Sequence, residues 1–388
     1  MNKYIQDFIT NKCRSIFSGL TLPQKKSLAE ILRGLFTEGT PILRHLAQNK
    51  NISAKRQADK YSRHLGNIDL QKKVEDFSIK VVASEIRKNT VIAYDLVDIS
   101  KPGAEKMEKL TQVYDSSEGS VEPGFLLHGV GVNNILLKLR FHHSDKEFLG
   151  QVRKAILEEL TIAFSGKGIF VFDRGNDDEK LFRNLRQILK VQFIARVREN
   201  RNVVLKQTGA IVSIKDLPEG TYEVFLTKEG KVLGDLCHSL LIRNHLPGKD
   251  PIRLIYFLKD KYTSEQIVNL YLERWGVEKC FKRVKQKFQL EKIRVLSLKK
   301  FINMVALTQF AMNLSVLMFR KLQSLTHSLI TAVLLHYNRF IAKKSLTFNL
   351  ESFITFLQNS LHPLQFHAPP KHQPSLFSFR QLKKLVPF

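Results

Sequence analysis

A chain of 388 residues with 62 Lys and Arg against 36 Asp and Glu carries a formal charge of +26 and has a pI near 9.9. Its length permits two or three domains with ample burial, and its charge far exceeds what solubility requires, so a polyanion partner is the first inference. Three cysteines, Cys13, Cys237 and Cys280, stand far apart without CxxC or Cys/His spacing, which argues against a disulfide framework or a zinc site and fits a reducing interior.

Residues 1–85 read as helices joined by polar loops, for example over 24–36 and 71–79, with Lys55-Arg56 and Arg63-His64 between them. This basic helical region is a candidate for binding DNA ends. Residues 1–30 hold no apolar signal core, since Asp7, Lys12 and Arg14 interrupt it. Over 86–199 strands and helices alternate, as in a mixed α/β unit. Val91 to Val97 reads as a buried strand carrying Asp95 near its end, and 125–132 and 135–141 read as further strands. A helix over 147–164 leads into a second buried strand, 168–172, that runs into Asp173-Arg174-Gly175. A helix over 178–190, with Asp177 and Asp178 complementing the dipole at its start, and a strand over 192–197 complete the unit. Gly129-Val130-Gly131 is too short for a nucleotide fingerprint. His142-His143 lacks metal-ligand spacing and reads as surface.

Residues 200–260 change character to five short strand-like runs separated by turn signals at 216–220 and 228–231, an all-β insertion. Over 261–300 the pattern becomes helical, opening with a capping box at Thr263-Ser264-Glu265-Gln266. Here Tyr271, Arg274, Glu278 and Lys285 recur as Y-x2-R-x3-E-x6-K. On a continuous helix turning about 100° per residue they fall within roughly a 60° arc. Leu270, Val277, Phe281, Val284 and Phe288 form the adjoining apolar stripe. Cations crowd the same stretch, Lys279, Lys282, Arg283, Lys285 and Lys287 among them, and phosphates relieve such repulsion best. Residues 301–388 read as a helical region followed by a Pro-containing basic tail. The uncharged run 301–319 is long enough for a membrane span, but Asn303, Gln309 and Asn313 would be costly in lipid and favour a buried helix, with no membrane partner.

Asp95, Asp173 and Glu278 are the candidate catalytic and metal-binding set: two strand-end aspartates and one helix glutamate that can converge at one edge of a sheet. Three crowded carboxylates ionise together only with divalent cations between them. Mg²⁺ prefers oxygen ligands and phosphate oxygens, and two ions ~4 Å apart suit phosphodiester chemistry. Asp98, three residues on, competes with Asp95 for the first position. Arg274 would fork onto a phosphate, Lys285, Lys282 and Arg283 would add charge, Tyr271 would hydrogen-bond the DNA backbone, and Trp275 would stack on an unpaired base or close the core.

With Asp95 and Asp173-Arg174-Gly175 on strands, the Y-R-E-K spacing resembles the DDE insertion-sequence transposases with the YREK signature, the IS-four-like group, over roughly residues 90–290. That resemblance implies an RNase H-like mixed sheet with flanking helices, an all-β insertion before the Glu, and helical terminal regions. It also implies Mg²⁺-dependent cut-and-paste transposition, with two Mg²⁺ replaceable by Mn²⁺, acting on terminal inverted repeats and target DNA. A homodimer on DNA and a cytoplasmic, nucleoid-associated location go with it. The family's first Asp, second Asp and Glu fall on Asp95, Asp173 and Glu278. Two other readings stay open: a two-metal DNA endonuclease without strand transfer, and a non-catalytic DNA-binding relative.

Overall fold

The computed structural model describes residues 2–47, 52–115, 118–228, 231–246, 248, 250–323 and 349–361. Five helices come first: α1 (Asn2–Ile16), α2 (Leu22–Glu38), α3 (Leu43–Leu46), α4 (Ala54–Gly66) and α5 (Gln71–Ala83). Then follow β1 (Val91–Ser100), β2 (Thr111–Asp115), β3 (Ser120–Val132), β4 (Ile135–Phe141), α6 (Leu149–Ala163) and β5 (Ile169–Phe172). Next come α7 (Glu179–Arg183), extended by a π turn at Asn184–Ile188, and β6 (Gln192–Arg196). The remaining strands are β7 (Asn202–Leu205), β8 (Ile211–Ser213), β9 (Gly220–Lys228), β10 (Lys231–Arg243) and β11 (Ile252–Phe257). The chain continues through α8 (Ser264–Leu272), α9 (Trp275–Lys287), α10 (Leu298–Gln323) and α11 (Leu350–Leu361). The expected basic tail beyond 361 lies outside the described residues.

The eleven strands form one mixed sheet in the order β2-β3-β1-β5-β6-β11-β10-β9-β7-β8, with β4 also paired to β3. β1 runs antiparallel to β3 and parallel to β5, and β5 runs parallel to β6. The central strands β5 and β6 carry fully buried apolar runs, Ile-Phe-Val-Phe in β5 being the clearest, as strands covered on both faces require. This mixed α/β architecture is consistent with the RNase H-like expectation. The β-rich segment 200–260 is an extension of the same sheet, because β11 pairs antiparallel with β6 from Leu254↔Arg196 to Phe257↔Phe193.

The uncharged run is a core helix. Of α10, Leu298–Lys321 is long and apolar enough to cross a membrane, but 89% of its most apolar window is buried inside the protein. Its amides satisfy backbone groups of neighbouring elements, which is what polar side chains must do in a core. Asn303 accepts from the Leu70 amide (2.8 Å) and donates to the carbonyls of Leu65 and Ile68. Asn313 accepts from the Leu136 amide and donates to Ser78 Oγ, both at 2.9 Å, while Gln309 donates to the Leu136 carbonyl. The terminal helices are thereby bolted to β4.

One expectation fails: the motif region is two helices, not one. The capping box forms, Thr263 N–H donating to Gln266 Oε1 (2.8 Å) and Gln266 N–H to Thr263 Oγ1 (3.2 Å). Past Leu272, however, the hydrogen bonds tighten to three-residue spacing, Arg274 N–H to the Tyr271 carbonyl and Val277 N–H to the Arg274 carbonyl. The cause is packing on two separate cores. α8 buries Ile267, Val268, Leu270 and Tyr271 with Ile169, Ile194 and Leu254 of the central strands. α9 buries Val277, Cys280, Phe281 and Val284 in the main core, over β1 and β3. Glycines set the height of α9: a Cβ at Gly129 would lie 2.3 Å from Phe281 Cζ, and one at Gly131 would lie 2.6 Å from Val277 Cγ2.

Candidate active site

Parallel pairing of β1 and β5 ends at Tyr94↔Phe172, so Asp95, which lies midway along β1 and not near its end as expected, and Asp173, just past the end of β5, follow side by side. Asp95 is opposite Gly129 on β3, under α9, the helix that carries Glu278. Asp98 lies three residues along a β1 whose register with β3 is unbroken from Ala93 to Ser100, so alternation puts it on the other face. Among the sequence candidates, Asp95, Asp173, Arg274 and Glu278 come together.

Arg274 joins them. It is the residue at the break between α8 and α9, its side chain is only 7% exposed, and its Nη1 lies 2.6 Å from Glu278 Oε1 and 3.3 Å from Asp95 Oδ2. Burial pushes the Asp95 carboxyl up to about 7, and the charges of Asp173 and Glu278 add to it. Arg274 and a hydrogen bond from the Leu96 amide (2.9 Å) pull the other way without cancelling that rise. Two acids share one guanidinium while Asp173 adds its negative charge at Asp95, so Asp95 is short of positive charge.

The donor chemistry fits a divalent cation: the side chains offer hard carboxylate oxygens. Their grouping is loose, however. Among the described residues no three His, Cys, Asp or Glu side chains lie together closely enough to hold an ion. Arg274 occupies the middle of the set.

Beside Asp173 opens a cleft of about 540 Å³ lined by Asp173, Arg174, Gly175, Arg198, Glu199 and Asn200. Arg198 was not among the sequence candidates; it follows β6 by two residues, and only the β5–β6 pairing brings it beside Asp173. Asp177 accepts from the Arg198 amide (3.0 Å) and pairs with Arg201, docking the loop after Asp173 onto this turn. Asp178 is the N-cap of α7, accepting from the Lys180 amide, as its position before the helix suggested.

Other candidates sit differently. Tyr271 is 3% exposed and packs in the core beneath α8, with the Arg274 guanidinium 5.5 Å above its ring, so it supports that arginine and is not presented to a DNA backbone. Arg283 is also committed internally, donating to Asn134 Oδ1 (2.9 Å) and lying 3.6 Å from Glu351 of α11. Lys282 is exposed, and Lys285 makes a partly exposed pair with Glu291 (2.8 Å) that phosphate can exchange for. Trp275 is half exposed, not a core residue. His142, read as surface, is buried, its Nδ1 3.2 Å from His128 Nε2, while Tyr94 Oη is 2.6 Å from His128 Nδ1. His142 directly follows β4, and its amide donates to the Leu126 carbonyl of β3 (2.9 Å), which holds it against the sheet.

Residues 142–314 match the family model of the transposase DDE domain. No curated protein matches the chain. The family match supports a DDE transposase, hence a nuclease or transposition enzyme with DNA as substrate, in a family that generally uses divalent metals. It spans Asp173, Arg274 and Glu278 and begins after Asp95.

Proposed function

We propose that this chain is a cut-and-paste DNA transposase of the YREK-bearing, IS-four-like kind, which nicks the ends of its element hydrolytically and joins the freed 3′-hydroxyl to target DNA. One observation carries the reading: Asp95 of β1 and Glu278 of α9 share a single buried arginine, and Asp173 follows β5 beside Asp95. Asp95, Asp173 and Glu278 would hold two Mg²⁺, or Mn²⁺ in their place. Such ions, when bound, supply activation of the attacking hydroxyl or water and stabilisation of the leaving oxygen.

The protein's own groups do the rest. Arg274, its side chain buried between Asp95 and Glu278, can offer its fork to a phosphate oxygen beside the carboxylates. Arg174 and Arg198 flank the cleft next to Asp173 and suit the phosphates on either side of the scissile bond. Lys282 and Lys285 extend the positive track along α9, and half-exposed Trp275 offers an aromatic face to an unpaired base. In this reading the chain acts as a homodimer on its terminal repeats, in the cytoplasm at the nucleoid, with the basic residues of 1–85 binding the ends.

Purified full-length protein, Mg²⁺, labelled DNA from the flanks of the gene and a target plasmid test this directly. Joined product is the expected outcome. Cleavage without joining would replace the reading with a two-metal endonuclease, and binding without cleavage with a non-catalytic relative.

A further inference from the structure

The geometry points to Arg153 and Asn176 as positioning residues that fix the orientation of the Asp173 carboxylate for cation binding; this rests on the reading of Asp173 as a metal ligand. Asn176 is the third residue after Asp173, it is 3% exposed, and its Nδ2 donates to Asp173 Oδ1 at 2.6 Å. Arg153, from α6, reaches it from behind. One guanidinium nitrogen, Nη1, donates to Asn176 Oδ1 (2.9 Å) and the other, Nη2, to Asp178 Oδ2 (2.6 Å).

Guanidinium has donors only, so the amide oxygen of Asn176 must face Arg153 and its NH₂ must face the carboxylate. A flipped amide would set donor against donor and acceptor against anion. The order Arg153 to Asn176 to Asp173 therefore has one allowed sense. Both anchors of Arg153 lie in the loop between β5 and α7, at its middle and at the N-cap of α7, so the fork holds the whole turn at a fixed height. Among the described residues, Asp173 Oδ1 is pinned and Oδ2 takes no such bond. Gly175 completes the arrangement: a Cβ there would lie 3.3 Å from both carboxylate oxygens, crowding the side that opens to the cleft.

A buried amide linking an arginine to a backbone turn also has a plain structural use, and cation affinity separates the two. Groups that orient a ligand from behind change metal affinity by about 10–100-fold when removed, whereas a merely structural loss leaves affinity per folded molecule alone. The experiment titrates Mn²⁺ into full-length protein without DNA and reads free Mn²⁺ by its EPR signal, alongside the thermal midpoint. Asn176→Ala is expected to weaken Mn²⁺ binding at least about tenfold while the protein remains folded. Should Asn176→Ala fail to fold, Arg153→Lys decides by the same criterion, since one ammonium retains charge but cannot fork to both partners.

Mn²⁺ affinity within twofold of wild type in the folded variant overturns the inference. Asp173→Asn is the control for the underlying reading: if that variant binds Mn²⁺ as wild type does, Asp173 is no ligand and the failure belongs to the site assignment instead.

Discussion

Two clusters of opposite charge lie within this fold, and they are built to different ends. On β4, Lys138 is wholly buried and pairs with Glu75 of α5 (2.6 Å) and Glu159 of α6 (2.8 Å), while Arg140 pairs with the same two acids at 2.9 and 3.1 Å. Two acids meet two cations, and Lys72 adds a third at Glu159. At the other cluster Asp95 and Glu278 share Arg274, and the charge of Asp173 also bears on Asp95. Burial acts on both. It pushes Glu159 up, but hydrogen bonds and charges from Lys138 and Lys72 more than offset it and hold that carboxyl at about 2. It pushes Asp95 up to about 7 with too little cation to oppose it. A closed balance marks a structural clamp, and a standing deficit marks a place prepared for something positive.

The sharpest way to break this contrast is to neutralise one charged group in each cluster. Asp173→Asn or Glu278→Gln should cut Mg²⁺-dependent DNA cleavage by at least about 10³-fold, with an unchanged thermal midpoint, as losing part of a catalytic unit does. Lys138→Met should do the reverse. It leaves Glu75 buried beside a shortened set of partners and should cost about 3–5 kcal/mol of stability by denaturant titration, with cleavage per folded molecule intact. Cleavage lost in the Lys138 variant, or stability lost in the Asp173 variant, would merge the two clusters.

A finer test uses pH on protein kept in chelator. Glu159 lies low in the folded state, so its contribution is complete above its ordinary value of 4.5 and disappears as pH falls toward 2. Asp95 lies high, so its contribution is complete below its ordinary value of 3.8 and disappears as pH rises toward 7. The thermal midpoint should therefore fall between about pH 4 and 7 on account of Asp95, and Asp95→Asn should flatten that decline. A slope unchanged in Asp95→Asn would remove the deficit from the argument.

The smallest expected effect separates neighbours on α9. Lys282→Ala should weaken DNA binding and reduce the salt slope by about 1 without shifting the thermal midpoint, because Lys282 is exposed. Arg283→Ala should lower the midpoint and leave the salt slope, because Arg283 ties α9 to Asn134 and α11. The opposite pairing of outcomes would restore Arg283 as a DNA contact.

Much of this was legible where a local rule governs. Buried strands at 91–97, 135–141 and 168–172 announce themselves as apolar runs, and Thr263 with Gln266 announces the start of α8. β2 was invisible because Thr111–Asp115 is a polar edge strand with no apolar alternation, and the first half of β10 because Lys231, Gly234 and Asp235 bracket the adjacent pair Val232-Leu233 and leave no alternation. The break at Arg274 has no proline to signal it; it exists because α8 and α9 satisfy different cores. For the same reason a helical wheel placed Tyr271 beside Glu278, whereas the fold puts it underneath. Asn176 and Arg153 are 23 residues apart, and no spacing rule connects them.

The close seating of α9 on β3 bears on how such a sequence can drift. With Phe281 and Val277 already inside the volume a methyl group at Gly129 or Gly131 would need, neither glycine can be exchanged alone without lifting Glu278 away from Asp95. Substitution at 129 should be inherited together with a smaller residue at 281, and substitution at 131 with a smaller one at 277. Lineages that keep both glycines remain free to vary the rest of the helix surface, and with it the DNA they prefer.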